Sequence, residues 1–269
     1  MKGLHLPYSQ PNYQRMMNTL KLSLAFVLLL SMGAEAQTCK EVKTVSNFNI
    51  TTYASKPWYS HQQAETRYSP STQNYCTRAI YTVRKSPTVP WGYTVGVNNY
   101  AEDSLGNQYG GPLCAYQKSG APSKLAVGPC FLPKFVAGPY WVVAYDETKG
   151  YALISGGQPK IQGTDGCKTG TGTNNSGLWI FLRSKVRDDE LIDDVRDIAK
   201  TAGFDITVLK DVVHEDCDYG EVVTPTCKDQ AGTFPVLIWG QKDCDWVDKF
   251  RLVRCALYGD KCPDTCNKC

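Results

Sequence analysis

The sequence is poor in histidine and lacks the short motifs that mark common hydrolytic sites. Only His61 and His214 follow the first 36 residues, and neither an H-E-x-x-H nor a G-x-S-x-G pattern occurs in the chain. The first pattern carries the zinc ligands of one class of hydrolase, and the second carries the nucleophile of another. We therefore predict no catalytic residues, no cofactor and no enzymatic activity.

A strong excess of charge is also missing. The formal net charge is +3, and the lysines and arginines form neither a basic run nor a patch interleaved with aromatic residues. Nucleic-acid binding depends on such a basic surface, because contacts to phosphates supply much of the affinity. A nucleic acid is therefore not expected as a partner.

No apolar run is long enough to cross a bilayer. The longest run, LSLAFVLLLSMGA, follows Lys21 and leads to the small-residue pattern AEA, which is typical of a secretory signal. We predict a signal peptide over residues 1–36, with cleavage before Gln37, and a secreted protein without a membrane span. Met16 and Met17 are alternative starts to Met1.

All twelve cysteines follow the predicted cleavage site. Their even number is typical of a complete disulfide framework, and export places them in an oxidising compartment. The spacing in the final segment, CPDTCNKC, is similar to that of metal-cluster motifs, but such clusters need reduced thiolates. We therefore predict disulfides and no metal site. The sequons NIT and NNS predict glycosylation at Asn49 and Asn174.

Short alternating runs fill the chain from Trp58 to Arg183 and are separated by clusters of Gly, Pro, Asn and Ser. This pattern predicts many short strands, as in a β-sandwich or a β-barrel, and no helical pattern alternates with them as a parallel α/β fold requires. The alternation also predicts which residues face an interior, where they either line a ligand cavity or fill a solid core: Tyr81, Val83, Tyr93, Val95, Val97, Tyr140, Val142, Trp179 and Phe181.

The segment GPYWVVAYD is apolar on both faces of its alternation. One face carries Tyr140, Val142 and Ala144, and the other carries Trp141, Val143 and Tyr145. In a barrel, one face of each strand lines the interior. The other face of this strand is then expected to be covered by a helix.

One helix is predicted, in the segment RDDELIDDVRDIAKTAG. Leu191, Val195, Ile198 and Ala202 recur at spacings of four and three, which predicts a single buried stripe. Acidic residues crowd the first turn, where the helix dipole favours negative charge. The alternating segment FDITVLKDVV that follows predicts a short final strand.

Three stretches resemble the signature regions of the lipocalin family. YASKPWYS resembles the first, whose Trp (Trp58 here) closes one end of the barrel. PYWVVAYDETKGYALIS, which carries Asp146, is similar to the second, particularly in apolipoprotein-D-like members. LWIFLRS resembles the third, whose Arg (Arg183 here) lies across that Trp. Lys56 is a departure, since the first signature normally has Gly there. Trp58, Asp146 and Arg183 are expected to be structural.

The resemblance covers about Cys39 to Cys217 and implies an all-β domain, an eight-stranded up-and-down antiparallel barrel with one C-terminal α-helix. It also implies two disulfides, Cys39–Cys167 and Cys76–Cys217. Cys114 and Cys130 are then left to pair with each other. In the third strand, the resemblance could turn Asn98 inward instead of its neighbours.

The composition changes after Cys217. We predict a barrel domain over residues 37–217, a linker over 218–226 and a small domain over 227–269 that needs covalent bridges, because it buries little apolar surface. The segment CDWVDKFRLVRCALYGDKCPDTCNKC resembles the ShK-like (ShKT) six-cysteine module, which implies Cys227–Cys269, Cys244–Cys262 and Cys255–Cys266. An interaction or stabilising role is expected for it, rather than that of a toxin.

The resemblance implies a secreted carrier that binds a small hydrophobic ligand, such as a lipid, sterol, carotenoid or haem-like compound, in the barrel. Binding would depend on apolar burial and a few orienting polar groups. One alternative is a lipocalin-type enzyme acting on an isoprenoid, similar to xanthophyll de-epoxidases, which would need a carboxylate inside the barrel. The other is a secreted structural or interaction protein with a filled barrel.

Overall fold

The computed structural model describes residues 38–219, 229–236, 240–250, 254–255, 258–259, 261–263 and 265–266. The predicted signal peptide, most of the predicted linker and the predicted Cys227–Cys269 bridge lie outside these residues. No helix in the described part of the chain is both long and apolar enough to cross a membrane.

Eight antiparallel strands form a closed barrel. Seven of them follow one another along the chain: β1 (Trp58–Ala64), β2 (Tyr75–Val83), β3 (Val95–Glu102), β4 (Gln108–Lys118), β5 (Ala121–Gly128), β6 (Gly138–Asp146) and β7 (Tyr151–Ser155). A small ribbon of β8 (Ile161–Gln162) and β9 (Cys167–Lys168) precedes the eighth barrel strand, β10 (Leu178–Leu182). Each strand pairs with the next, and β10 pairs with both β7 and β1. The predicted eight-stranded up-and-down barrel is confirmed.

A short helix closes one end of the barrel. It is α1 (Ile50–Tyr53), and the side-chain oxygen of Asn49 accepts hydrogen bonds from the backbone N–H groups of Thr51 and Thr52, at 2.9 and 3.2 Å. Such a cap satisfies N–H groups that a helix leaves unpaired at its start. Tyr53, the last residue of this helix, is fully buried among the aromatic residues of the interior.

Strand β6 contains a bulge that changes its alternation. Its register against β7 shifts between Val142 and Ala144. Val143 and Ala144 both pack against the cluster beneath the long helix, whereas Tyr145 packs with the barrel interior. The expectation that Ala144 shares a face with Tyr140 and Val142, and that Tyr145 faces outward, is therefore wrong, because a bulge inserts one extra residue into the pleat.

The predicted helix is α2 (Asp189–Thr201), and the side chain of Asp188 caps it by accepting a hydrogen bond from the Leu191 N–H at 3.0 Å. Its buried residues are Ile192, Val195 and Ala199. Three of the four residues of the predicted stripe pack against the barrel, since Val195 is buried there and Ile198 and Ala202 contact the same cluster. Leu191 is the exception, because Ile192 is buried in its place. The helix covers the outer face of the barrel, where Val195 and Ala199 join Leu153 of β7 and Ile180 of β10.

A short strand extends the sheet beside β1. This strand, β11 (Leu209–Asp211), pairs with Gln62–Ala64 of β1, where β2 no longer does. The segment after it continues along the barrel to Tyr219, which is buried.

Three disulfides tie the barrel domain together. Cys39–Cys167, Cys76–Cys217 and Cys114–Cys130 are the pairs that the sequence analysis expected. The first joins the N-terminal segment to β9, and the second joins β2 to the segment after β11. Both close long loops of the chain, which is where a bridge restricts the unfolded state most.

The C-terminal region is small and rich in cysteine. It contains a two-stranded sheet of β12 (Phe234–Val236) and β13 (Gly240–Lys242), followed by the helix α3 (Cys244–Asp248). The bridges Cys244–Cys262 and Cys255–Cys266 match those that the ShK-like resemblance implies. Phe234 and Val247 are buried with the first of these bridges, so the region has a small core of its own.

Candidate functional site

The barrel encloses a cavity of about 830 Å³. This volume lies within the range of roughly 300–1,000 Å³ that is usual for small-molecule sites. Tyr68 and Asn174 are exposed lining residues and mark its mouth. The walls are mainly apolar, with Ala79, Val97, Leu113, Val127, Trp179 and Phe181 among the lining residues.

Five of the nine predicted interior residues line this cavity: Tyr81, Val97, Tyr140, Trp179 and Phe181. Val95 and Val142 are buried in the interior cluster but do not line the cavity. For these two residues the predicted inward direction agrees with the structure, although neither is among the residues that line the cavity.

The structure also differs from the prediction at Val83 and Tyr93. Val83 lies at the end of β2, is 39% exposed and lines no part of the cavity. Tyr93 precedes β3, and its ring packs against Tyr116, with 5.9 Å between ring centroids. The Tyr93 hydroxyl donates a hydrogen bond to the Leu132 carbonyl at 3.1 Å. Val83 keeps the regular pairing of β2 but is exposed at its end, whereas Tyr93 lies before β3 begins.

The direction of β3 is now settled. Val97 and Asn99 line the cavity, whereas Asn98 is exposed and does not. The alternative that turned Asn98 inward is therefore wrong.

Three tyrosine hydroxyls meet at the floor of the cavity. The Tyr140 hydroxyl lies 2.6 Å from the Tyr53 hydroxyl and 2.7 Å from the Tyr81 hydroxyl, both hydrogen-bond distances. Tyr81 and Tyr140 line the cavity, whereas Tyr53 lies beneath them. Burial raises the pKa of Tyr81 to about 12 and raises the pKa values of Tyr53 and Tyr140 well above their usual value. All three phenols therefore stay protonated near neutral pH.

Beneath the floor, aromatic rings fill the closed end. The ring centroid of Tyr53 lies 5.2 Å from those of Phe48 and Trp58 and 5.5 Å from that of Tyr145. The Trp58 indole N–H donates to the Tyr53 carbonyl at 3.0 Å. Packed aromatic pairs of this kind stabilise a core beyond their buried area, so the closed end is a solid plug.

Arg183 seals this plug from outside. Its guanidinium carbon lies 3.6 Å from the centre of the Trp58 ring. The same guanidinium donates to the carbonyls of Lys56, Pro57, Thr52 and Tyr53, and it pairs with Glu147 at 2.7 Å. Only the backbone carbonyl of Lys56 is used here, so this contact does not depend on its side chain.

Asp146 orders the turn between β6 and β7. One of its carboxylate oxygens accepts hydrogen bonds from the backbone N–H groups of Thr148 and Lys149, at 2.8 and 2.9 Å. The residue does not line the cavity.

Charged groups are scarce in the lining. Arg78 is the one charged residue in the described lining, which contains no aspartate or glutamate. The Arg78 guanidinium donates to the Tyr219 carbonyl at 3.1 Å and lies over the rings of Tyr100 and Tyr219. Thr77, another lining residue, has a buried hydroxyl without a hydrogen-bond partner. The described lining also includes amide and hydroxyl side chains, and it carries no acidic group.

The two histidines lie outside the cavity lining and stack on each other, with 4.6 Å between ring centroids. His61 Nε2 bonds to the Ser184 carbonyl at 2.8 Å, and His214 Nε2 bonds to the Ser60 carbonyl at 2.9 Å. Burial lowers the pKa of His61 and lowers that of His214 to about 4. Across the described ranges, no cluster of three or more His, Cys, Asp or Glu residues could hold a metal ion.

The two predicted glycosylation sites are both exposed. Asn49 caps α1 through its oxygen, which leaves its nitrogen at the surface. Asn174 lies at the mouth of the cavity, where its nitrogen donates to the Val136 carbonyl at 3.4 Å.

Several residues of the site were not predicted from the sequence. Leu113 and Val127 line the cavity from β4 and β5, and the alternation in PLCAYQ and KLAVG was the available signal. Tyr53 and Glu147 were also missed. No local pattern marks them, because each acts through partners that are distant in sequence.

Comparison with known proteins gives likenesses in structure only. No protein-family model matches the chain, and no curated protein matches it. Apocrustacyanin C1 is similar in structure, with 16% identity, a TM-score of 0.44, and coverage of 65% of this chain and 89% of that chain. The cockroach allergen Per a 4 is 12% identical, with a TM-score of 0.45 and coverage of 65% and 94%.

Lobster apocrustacyanin A1 is 16% identical, with a TM-score of 0.43 and coverage of 66% of this chain and 92% of that chain. The strand order, the closure of β10 on β1 and the helix after β10 define the architecture of this chain independently. The fold is lipocalin-like.

Proposed function

We propose that this chain is a secreted carrier that binds a small hydrophobic ligand in the barrel. The observation that carries the proposal is the cavity of about 830 Å³ with aliphatic and aromatic walls and hydroxyl groups at its floor. Burial of apolar surface is worth about 25 cal/mol per Å², so a lipophile gains affinity from walls such as these. A lipid, a sterol, a carotenoid and a haem-like compound all belong to the ligand class.

Two alternatives receive less support. An enzyme that acts on an isoprenoid in the barrel would need a carboxylate there, and the described lining contains none. A purely structural barrel would be filled by side chains, whereas this interior holds a cavity as large as a small-molecule site.

For the C-terminal region we propose an ShK-like module, separated from a barrel domain at 37–217 by a linker at 218–226. Its two described bridges and its own small core support an independent unit. An interaction or stabilising role suits it best. The apolipoprotein-D-like character of the barrel remains part of the same proposal.

The carrier proposal is tested by filling the cavity. Val97 lies within the cavity wall, and Val83 lies outside it on the same sheet, so Val97→Trp and Val83→Trp are matched variants. A fluorescent lipophile titrated into the unmodified protein should quench Trp179, which lines the cavity. We expect Val97→Trp to weaken binding at least tenfold and Val83→Trp to leave it unchanged. Equal affinity in all three proteins would place the ligand elsewhere.

A further inference from the structure

Two buried polar groups of the cavity wall have no hydrogen-bond partner among the described residues. They are the Thr77 hydroxyl and the Nε atom of the Arg78 guanidinium, and both residues line the cavity. A buried polar group without a partner costs free energy, and the cost is larger where the group is charged. Because native structures retain few such groups, these two indicate a partner that the protein itself does not supply.

A bulge in β2 accounts for the position of these two neighbours. The register of β2 against β3 shifts between Tyr75 and Arg78. In a regular strand, successive side chains point to opposite faces of the sheet, so only one of two neighbours lines the interior. A bulge re-aims a side chain. Thr77 and Arg78 are therefore both found in the cavity lining, although they are adjacent in sequence.

The charge of Arg78 is not neutralised by the residues around it. Arg78 is only 7% exposed, and its guanidinium makes one hydrogen bond with the described residues, to the Tyr219 carbonyl at 3.1 Å. The rings of Tyr100 and Tyr219 lie against it. Glu102 accepts a hydrogen bond from the Tyr100 hydroxyl and is not an ion-pair partner of Arg78. Arg78 is therefore a buried cation with N–H donors left for an anion.

The floor of the cavity offers no comparable unpaired group. The hydroxyls of Tyr53, Tyr81 and Tyr140 bond to one another, and a polar group placed among them would have to break one of these bonds. Thr77 precedes Tyr81 by four residues on β2, which corresponds to about 13 Å along a strand. The unpaired groups thus lie toward the open end of the barrel, with apolar walls between them and the floor.

We infer that the barrel binds an ionised lipophilic acid, with its carboxylate at Thr77 and Arg78 and its apolar chain directed toward the floor. This inference rests on the proposed carrier function and narrows its ligand class. A carboxylate accepts hydrogen bonds from a hydroxyl and from a guanidinium, and hydrogen bonds between two charged groups are the stronger kind. A neutral lipophile would leave the charge of Arg78 unpaired.

The surroundings of this position also suit an anion. The described lining contains no aspartate or glutamate that would repel a carboxylate. Asn99, which is paired with Ala79 in the register of β2 and β3, lines the cavity and adds an amide donor two residues along β2 from Thr77. A carboxylate at this position would therefore meet only donors and apolar groups from the side chains of β2 and β3.

The test compares hexadecanoic acid with hexadecanol, two ligands with the same chain length and different head groups. Direct binding of each radiolabelled compound is measured at neutral pH in the unmodified protein, in Arg78→Gln and in Arg67→Gln. The first variant removes the buried cation. The second is the matched control, because Arg67 is exposed beside Tyr68 at the cavity mouth and does not line the cavity.

We expect the acid to bind the unmodified protein more tightly than the alcohol. The ratio of acid affinity to alcohol affinity should fall about tenfold in Arg78→Gln, as the loss of a charge-assisted hydrogen bond implies, and should stay unchanged in Arg67→Gln. If the alcohol binds and the ratio is unchanged in Arg78→Gln, or falls equally in both variants, the inference is overturned while the carrier function stands. If neither ligand binds, the inference is overturned, and the comparison of Val97→Trp with Val83→Trp decides the carrier function.

A second measurement covers the case in which Arg78→Gln does not fold. Hexadecanoic acid with an isotopic label at its carboxyl carbon is bound to the unmodified protein, and the chemical shift of that carbon is followed as the pH is lowered. A cation beside the carboxylate favours its ionised form, so the pKa of the bound acid should lie below that of the same acid in water. A pKa equal to or above the value in water would overturn the inference without any variant.

Discussion

The guanidinium of Arg183 lies against the face of the Trp58 indole, 3.6 Å from its centre, and both side chains belong to the closed end of the barrel. Their positions are 125 residues apart in the sequence. Trp58 is fully buried and opens β1, while Arg183 follows the last residue of β10. The contact therefore joins the two strands whose pairing closes the barrel, and it seals the end opposite the cavity mouth.

We expect Arg183→Met to lower the free energy of unfolding by about 2–4 kcal/mol. The substitution keeps an apolar stem over Trp58 but removes the cation that pairs with Glu147 and the guanidinium donor to the carbonyls of Pro57 and Tyr53. Arg187→Met is the control, since Arg187 forms ion pairs at the surface that are worth about 1 kcal/mol or less. Chemical denaturation measures both variants. Equal losses would contradict a sealing role for Arg183.

The helix α2 offers a test of which face is buried. Ile192 is 1% exposed, whereas Leu191, the residue that the sequence pattern favoured, is only partly buried. We expect Ile192→Ala to destabilise the protein by about 2–5 kcal/mol, as is usual for removing a buried isoleucine side chain. Leu191→Ala should lower the free energy of unfolding by about 1 kcal/mol or less. A larger loss in Leu191→Ala than in Ile192→Ala would show that Leu191 is the buried residue, as the sequence pattern suggested.

The stacked pair of His61 and His214 makes the stability of the barrel sensitive to acid. Both pKa values are lowered by burial, to about 4 for His214, whereas an unfolded histidine has a pKa of about 6.5. The unfolded state therefore binds more protons in this interval, and stability is lost as the pH falls from about 6.5 to about 4. We expect the melting temperature to fall over this interval and His214→Gln to reduce the fall.

The carboxylates do not obscure this test. Hydrogen bonds from Gln62 and Asn107 lower the pKa values of Asp211 and Asp103. Their contribution to stability is therefore lost mainly below the unfolded pKa of about 3.9. If His214→Gln and the unmodified protein show the same dependence on pH between 6.5 and 4, the histidine pair is not responsible.

Asn174 connects the predicted glycosylation to ligand entry. Because this residue lies at the cavity mouth, a glycan there would narrow the entrance. We expect Asn174→Gln to take up a fluorescent lipophile several times faster, and Asn49→Gln to leave the rate unchanged. If Asn174→Gln shows no loss of a glycan mass relative to the unmodified protein, the glycosylation at Asn174 is contradicted. A changed mass with an unchanged uptake rate would contradict the effect on entry.

Much of the barrel could be predicted because its strands alternate in sequence as they do in space. Tyr81, Val97, Tyr140, Trp179 and Phe181 were placed correctly on the cavity by this rule. The rule fails where the backbone departs from the ideal pleat. The bulge before Ala144 is one such place, and the loop that carries Tyr93 is another.

Other features depend on contacts that no local pattern contains. Helical periodicity predicted α2 and the packing of Val195, but it could not choose between the adjacent apolar residues Leu191 and Ile192 at the start of the helix. The tyrosine group at the floor likewise joins Tyr53 of a short helix to Tyr81 and Tyr140 of two strands.

Native mass spectrometry of the protein isolated from its own host tests the central claim most directly. We expect a complex with one small molecule, released by solvent extraction as a lipophile that absorbs or fragments as a single compound. Its absence from Val97→Trp, prepared in the same way, would locate it in the barrel. A ligand-free mass that persists after exposure to lipids, sterols, carotenoids and haem would contradict the carrier function.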